Sequence, residues 1–330
     1  MADFQNPPLS WSVSRSNFLH YCQKKYFFNY YWNWLREFDE WIRLDHLLLK
    51  NLKSMDMWIW EKTHNLISDY LNLVAENNEL DKEKLLSDTI STMDQEYEFS
   101  KTREYQDYDK DNKFWLSEHY YNKNIDKEYQ QATEKLKKQF YNFVNSKVHE
   151  EIISYMKSPN KRYIESKEPD FEKMKVTVDN IPELQWVTIW AKPDFWVIID
   201  NKNYIIYDWK AGKVPSYKEW EIPDQLKVYA YKLLLKLWTE KIDDIQVFVW
   251  EVYLEDMSIF GWEIKMQDII DIQDKIIEDV ELQKRFIQNW DPQKNIPKAT
   301  HYFERTENKK KCQTCTFWKV CTDLKHYEKI

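Results

Sequence analysis

The apolar pattern changes at Pro159, and that change limits the fold more than any other feature of the chain. Beyond it, 161–167, 175–178, 187–190, 194–199 and 204–210 are rich in β-branched and aromatic residues and read as strands. The run Asp200-Asn201-Lys202-Asn203 has hairpin-turn chemistry between the last two. A helix is predicted at 223–238, strands at 245–254 and 259–265, and a last helix at 266–289, before a Cys-rich tail. Ahead of Pro159 the spacing is helical. Residues 14–31 read as an aromatic-rich helix capped by Ser14 or Ser16, and 57–73 as an amphipathic one. Residues 76–158 are polar, rich in Lys, Glu and Asn and mostly helical, most clearly over 127–156. The expectation is one α/β domain over 1–330, with a helical insertion at 76–158 and a Cys-rich segment at 300–330.

Composition enters as an obstacle to that reading. The chain holds 2 Gly and 17 Trp in 330 residues. Average usage would give about 23 Gly, and compact folds need Gly where φ is positive or backbones approach closely. The remainder is ordinary: 43% hydrophobic and 32% charged, enough apolar matter for a sizeable core. No run approaches the about 18 apolar residues of a membrane span. The opening MADFQNPPLS lacks both a basic and an apolar leader region, so a cytoplasmic protein with reduced thiols is expected. A net charge of −8 argues against a general nucleic-acid coat but permits a local basic groove.

Three groups of residues could carry chemistry. Cys312, Cys315 and Cys321 lie together, and Cys22 stands far upstream. Thiolates collected in one place select zinc or an iron–sulfur cluster, and a triplet with one distant partner would clasp two parts of the chain together. Second, Asp194 and then Asp208-Trp209-Lys210 fall at the ends of successive strands. Carboxylates so placed can converge on a hard cation, with Lys210 on the same strand face as Asp208. Such a site suits phosphodiester hydrolysis, although an Asp-x-Lys at a strand end is commonplace on its own. Third, Gln225 and Tyr229 share a helix face at i,i+4, and His64 sits in the helix at 57–73. A lone His is more often a satisfied side chain than a ligand.

Taken in order, His64, Asp194, Asp208-x-Lys210 and Gln225-x3-Tyr229 resemble the PD-(D/E)XK nucleases of the RecB type. Cys22 with Cys312-x2-Cys315-x5-Cys321 resembles their iron–sulfur subgroup, to which the AddB nuclease domain and a CRISPR-associated exonuclease belong. The run Ser12-x-Ser14-Arg15 leading into Tyr21-Cys22-Gln23 is similar to that subgroup's opening helix, with Gln23 where Pro is usual. The likeness covers roughly 9–35, 58–75, 160–254 and 312–323, and leaves 76–158 unmatched.

The resemblance implies a restriction-endonuclease-like core, a central mixed sheet flanked by helices. His64, Asp194, Asp208 and the carbonyl of residue 209 would hold Mg²⁺ or Mn²⁺, and Lys210 would be the catalytic lysine. Gln225 and Tyr229 would meet the nucleic acid. Cys22, Cys312, Cys315 and Cys321 would hold a structural [4Fe–4S] cluster, with Lys309, Lys310 and Lys311 beside it on a possible phosphate path. The substrate would be DNA with single-stranded character or free ends, in recombination and repair or in CRISPR spacer acquisition. A helicase or CRISPR adaptation partner would do any unwinding, because the chain has no GxxxxGK[ST] phosphate loop. The rival expectation is a catalytically silent iron–sulfur module that binds nucleic acid.

The surplus tryptophans bear on the same pattern. Trp60 stands where the family has Gly four residues before its His, and Trp190 and Trp196 flank Asp194 where Gly is common. Trp186 also reads as a Gly site, Trp32 and Trp238 fall at expected helix ends, and Trp41, Trp220 and Trp290 in turn-like contexts. Trp115 and Trp209 read as true tryptophans. The exchange is what a UGA codon meaning glycine would produce when rendered as Trp. The competing expectation is a Trp-rich protein whose indoles stack on bases.

Overall fold

The computed structural model describes residues 7–32, 40–76, 81–103, 114–158, 161–165, 175–178, 181–199, 202–216, 221–237 and 245–322. They fall in two compact units, the larger formed by 53–170 and 192–270, the smaller by 1–52, 171–191 and 271–330.

In the larger unit, helix α1 (Met55–Ala75) opens where the Ser54 hydroxyl accepts the Met57 amide, with Asp56 in the first turn complementing the helix dipole. Its apolar stripe buries Trp58, Ile59, Leu66, Ile67, Tyr70 and Leu71. Helix α2 (Lys82–Thr102) is capped by Asp81, whose carboxylate accepts the Lys84 amide. Helices α3 (Asp126–Val144) and α4 (Lys147–Lys157) replace the single helix expected at 127–156. Ser146 explains the break: its hydroxyl accepts the His149 amide and starts a new helix just past Asn145.

Strands β1 (Lys161–Glu165), β2 (Phe195–Ile199) and β3 (Asn203–Lys210) form an antiparallel run joined edge to edge. The hairpin residues Asp200 and Asn201 lie outside the described residues. Helix α5 (Asp224–Leu237) then crosses over to β4 (Gln246–Tyr253), which pairs parallel with β3. A parallel neighbour needs such a crossover. Strand β5 (Ser258–Glu263) adds antiparallel to β4, giving the order β5-β4-β3-β2-β1.

The sheet has two unlike faces at its centre. Tyr207, Trp209 and Val252 join Phe140, Phe143, Leu66 and Ile67 in the hydrophobic core, with Trp209 edge-on to Phe143 at 5.3 Å. Strand alternation sends Asp208, Lys210 and Glu251 to the other face. Burying side chains such as Phe140 and Phe143 is worth about 1.5–3 kcal/mol each, so the core fixes β3 and thereby the polar residues on its reverse.

The smaller unit joins residues far apart in the chain. Ser10–Trp11 pairs parallel with Thr188–Trp190, which pairs antiparallel with Lys175–Thr177. The expected helix at 14–31 is two helices, Val13–Tyr21 and Gln23–Tyr30, and the cap is Ser12 rather than Ser14 or Ser16. Cys22 separates them in an extended conformation. Phe27 packs 4.7 Å from Phe303, Phe28 5.3 Å from Phe317, and His46 stacks between Trp32 and Phe317 at 5.0 Å from each. Trp11 Nε1–H donates to the buried Asp279 at 2.8 Å.

The tryptophans divide by environment. Trp32, Trp58, Trp115 and Trp209 are buried in aromatic or aliphatic surroundings. Trp32 lies just past the helix C-cap Tyr31, at the helix end expected, and its indole fills a core position. Trp186 and Trp290 have φ of 68° and 56° and are each 53% exposed. A bulky L-residue there is strained, and glycine is not. Trp190 lies in a strand and Trp196 in β2, both partly exposed. Trp220, Trp238 and the side chain of Trp41 lie outside the described residues.

Candidate active site

The larger unit brings six predicted residues together. Asp194 sits just ahead of β2, Asp208 and Lys210 lie at the end of β3, and Gln225 and Tyr229 occupy the first turns of α5. His64 comes from the middle of α1. Its Nδ1 lies 3.1 Å from Asp194 Oδ1. The other Asp194 oxygen accepts the Trp209 backbone N–H at 2.8 Å, which ties the two strand ends to each other.

Asp208 is 2% exposed and is the hub of the site. Its Oδ1 accepts from Gln225 Nε2 at 3.1 Å and from the Tyr229 hydroxyl at 3.2 Å. Its Oδ2 stands 2.5 Å from Lys210 Nζ, a charge contact that lacks hydrogen-bond alignment. Lys210 Nζ in turn donates to Gln225 Oε1 at 3.1 Å. The i,i+4 spacing on α5 is what lets both side chains reach the carboxylate, and Gln225 Nε2 also lies 2.5 Å from the Tyr229 oxygen. Gln225 and Tyr229, expected to meet nucleic acid, both bond directly to Asp208.

The electrostatics follow from burial. Desolvation, with the Asp194 charge adding, pushes the Asp208 carboxyl up to about 6. Burial pulls Lys210 down, but the Asp208 carboxylate, with Glu251 and Asp194 behind it, outweighs that and raises the ammonium above its ordinary value. The Tyr229 phenol is held well above its usual range by burial and by both aspartates, so it stays protonated.

Two buried atoms in this cluster lack a hydrogen-bond partner among the described residues: His64 Nε2 and Asp208 Oδ2. An imidazole nitrogen and a carboxylate oxygen are suitable donors to a divalent cation. Among the described residues no three His, Cys, Asp or Glu side chains stand ready-made in metal-holding geometry. His64 is paired with Asp194, and Asp208 with Lys210. The imidazole and carboxylates fit a divalent cation in their chemistry. The Trp60 indole lies over the His64 ring, centroids 4.1 Å apart, and is 45% exposed.

In the smaller unit the four cysteines are half-buried free thiols, and among the described residues no three of them stand in metal-holding geometry. Cys22 Sγ accepts the Thr306 amide at 3.5 Å, and the Cys315 amide donates to the Cys312 carbonyl at 3.1 Å. Burial raises the Cys315 thiol, and Cys22 and Cys321 are near enough to add to it. The Cys321 thiol is likewise raised by burial, with Arg305 opposing. Lys309 and Lys310 are exposed, and the Lys311 ammonium sits 4.1 Å from the Tyr21 ring centroid.

The profile of the PD-(D/E)XK nuclease superfamily matches residues 10–322. The chain belongs to that superfamily. PD-(D/E)XK proteins are typically metal-dependent nucleases that use divalent ions such as Mg²⁺ or Mn²⁺, and the mixed α/β architecture is consistent with their fold. No curated protein matches the chain. Among the described residues no helix is long and apolar enough to cross a membrane.

One residue of this PD-(D/E)XK site escaped the sequence reading. Glu251 on β4 lies in register with Asp208, is 3% exposed and places Oε1 3.8 Å from Lys210 Nζ. Its signal was a single acid in the apolar strand Val-Phe-Val-Trp-Glu-Val-Tyr, where an exposed edge position would have been unremarkable.

Proposed function

We propose that the chain is a metal-dependent deoxyribonuclease acting on single-stranded DNA or on free ends. One observation carries this reading: His64, Asp194, Asp208, Lys210, Gln225 and Tyr229 converge in one unit, with His64 Nε2 buried and lacking a hydrogen-bond partner among the described residues and Asp208 Oδ2 held by the Lys210 ammonium at 2.5 Å. His64, Asp194, Asp208 and the main-chain carbonyl of residue 209 would hold Mg²⁺ or Mn²⁺. Such an ion, when bound, neutralises phosphate charge and makes water a better nucleophile.

The protein's own groups do the rest. The Lys210 ammonium lies where it can orient the attacking water and steady the negative charge that grows on the phosphoryl oxygens. Gln225 holds Lys210 and Asp208 in fixed relation, and with Tyr229 it would meet the nucleic acid. Hydrolysis joins the water oxygen to phosphorus, breaks one P–O ester bond and passes a proton to the leaving oxygen.

Cys22, Cys312, Cys315 and Cys321 would hold a [4Fe–4S] cluster, structural in role because it ties residue 22 to the 300–330 segment. Residues 76–158 are read as a helical insertion in a single nuclease domain. The setting is cytoplasmic, in recombination and repair or in CRISPR spacer acquisition, with a helicase or adaptation partner supplying opened DNA. The test is anaerobic purification followed by Mn²⁺-dependent cleavage of 5′- and 3′-labelled single strands, with Lys210→Ala alongside. Loss of cleavage in that variant is expected; cleavage that persists overturns the site. A wild-type protein that binds DNA but never cleaves it would be the silent iron–sulfur module.

A further inference from the structure

We infer that Glu251 is a positioning residue for Lys210, the second carboxylate of a two-sided clamp on the lysine head. The inference rests on the reading of Lys210 as the catalytic lysine. Strands β3 and β4 are parallel, and their register sets Glu251 opposite Asp208 and Tyr253 opposite Lys210. In-register residues of parallel strands share a face, so both carboxylates project to the side where the ammonium lies. Asp208 Oδ2 is 2.5 Å from Nζ, Gln225 Oε1 is 3.1 Å away and Glu251 Oε1 is 3.8 Å away. The first two contacts are close, whereas the third is a charge contact beyond hydrogen-bond reach.

The depth of Glu251 requires an explanation. A carboxylate 3% exposed is costly to bury unless charge and hydrogen bonds offset the loss of water. The flanking residues of β4 are Trp250 and Val252, and an apolar side chain at 251 would pack the strand at no such cost. Glu251 finds its compensation in Lys210 and in the Tyr253 hydroxyl, which donates to Oε2 at 3.2 Å.

Asp208 alone could anchor Lys210 only while its carboxylate is free to do so. In the proposed function that carboxylate has a second duty. Glu251 has none in that scheme, and so its contact with the ammonium competes with no second task. A lysine stem has four rotatable bonds, and a misplacement of about 1 Å can cost about a hundredfold in rate.

The experiment compares Glu251→Gln, Glu251→Asp and Lys210→Ala. Steady-state Mn²⁺-dependent cleavage of a labelled single strand gives kcat and KM, and thermal unfolding reports the fold. In metal-free protein, peptide mapping after acylation gives the reactivity of the Lys210 amine against the exposed Lys213. Glu251→Gln is expected to lower kcat about tenfold or more, leave KM within about twofold, and raise Lys210 acylation relative to Lys213. Glu251→Asp should recover part of the kcat. Unchanged kcat and unchanged Lys210 labelling in Glu251→Gln overturn the inference. If Glu251→Gln fails to fold, a Glu251→Asp protein with wild-type kcat and wild-type Lys210 labelling overturns it as well. An active Lys210→Ala protein would overturn the underlying reading of the lysine; an inactive one beside a fully active Glu251→Gln would sink only the clamp.

Discussion

Replacing Asp208 by Asn should destroy cleavage and yet stabilise the metal-free protein at neutral and alkaline pH. Burial and the neighbouring Asp194 raise the Asp208 carboxyl from 3.8 to about 6. A raised folded-state value means that the native state holds its proton more tightly than the unfolded chain. The site is therefore unpenalised below about pH 4, and loses stability as pH climbs through about 6. Two units at about 1.36 kcal/mol each put the full penalty near 3 kcal/mol. Asp208 is 2% exposed, so solvent screening does not shrink that figure much. Asn keeps the shape and cannot ionise. Its melting temperature should exceed wild type by several degrees at about pH 8 and match it at about pH 4, in chelator, by calorimetry. Adding Mn²⁺ should raise the wild-type midpoint and leave the Asn variant in place, because a ligand stabilises only the state that binds it. An Asn variant that melts at or below wild type at about pH 8 would refute the reasoning, since it would mean that Lys210 needs the Asp208 charge more than burial opposes it.

Four further outcomes can be measured. Trp60→Gly removes the indole over His64; it should lower KM for DNA, and cost about 1 kcal/mol of stability for a helix-interior glycine. Trp186→Gly, at φ 68°, relieves about 1–2 kcal/mol of backbone strain while giving up a half-exposed side chain, so its unfolding midpoint should hold or rise, unlike that of Trp115→Gly. If UGA means glycine in the source, an intact mass of the native protein will show fewer than the 17 tryptophans of the written sequence. Cys321→Ser should lose the visible absorption of an iron–sulfur cluster after anaerobic purification, whereas a colourless wild type with zinc on its thiols would refute the cluster.

The strands and α5 were legible because each has one buried face, which writes its period into the residues. Their ends match the expected spans to within a residue or two over 187–199 and 203–254. The breaks at Cys22 and at Asn145-Ser146 are not legible, because each sits inside an unbroken helical apolar pattern; the second is decided by the Ser146 hydroxyl, whereas past Cys22 the Lys24 amide donates to the Glu304 carbonyl, far along the chain. Of the site, every named residue of the larger unit lies in the cluster. What could not be read was who bonds to whom: that Gln225 and Tyr229 both face Asp208, and that Glu251 arrives from the next strand. The first depends on how a helix packs against the sheet, and the second is a matter of register. A parallel pair closed by a long crossover leaves no local trace of its register in the sequence.

The composition of the smaller unit has a consequence for how the chain comes to be folded. The sheet of the larger unit adds strands in the order of the chain, and all its residues precede 271. The smaller unit needs Trp11 to meet Asp279, and Phe27 to meet Phe303, contacts that close loops of well over two hundred residues. Closing a loop of that length costs only about 0.6 kcal/mol more per doubling, but nothing rewards it until the distal segment exists. During synthesis the aromatic helices Val13–Tyr21 and Gln23–Tyr30 therefore emerge long before their partners. Their exposed Phe and Tyr rings are the surface a holdase would have reason to cover, and the interval is set by the ribosome rather than by the stability of the finished fold.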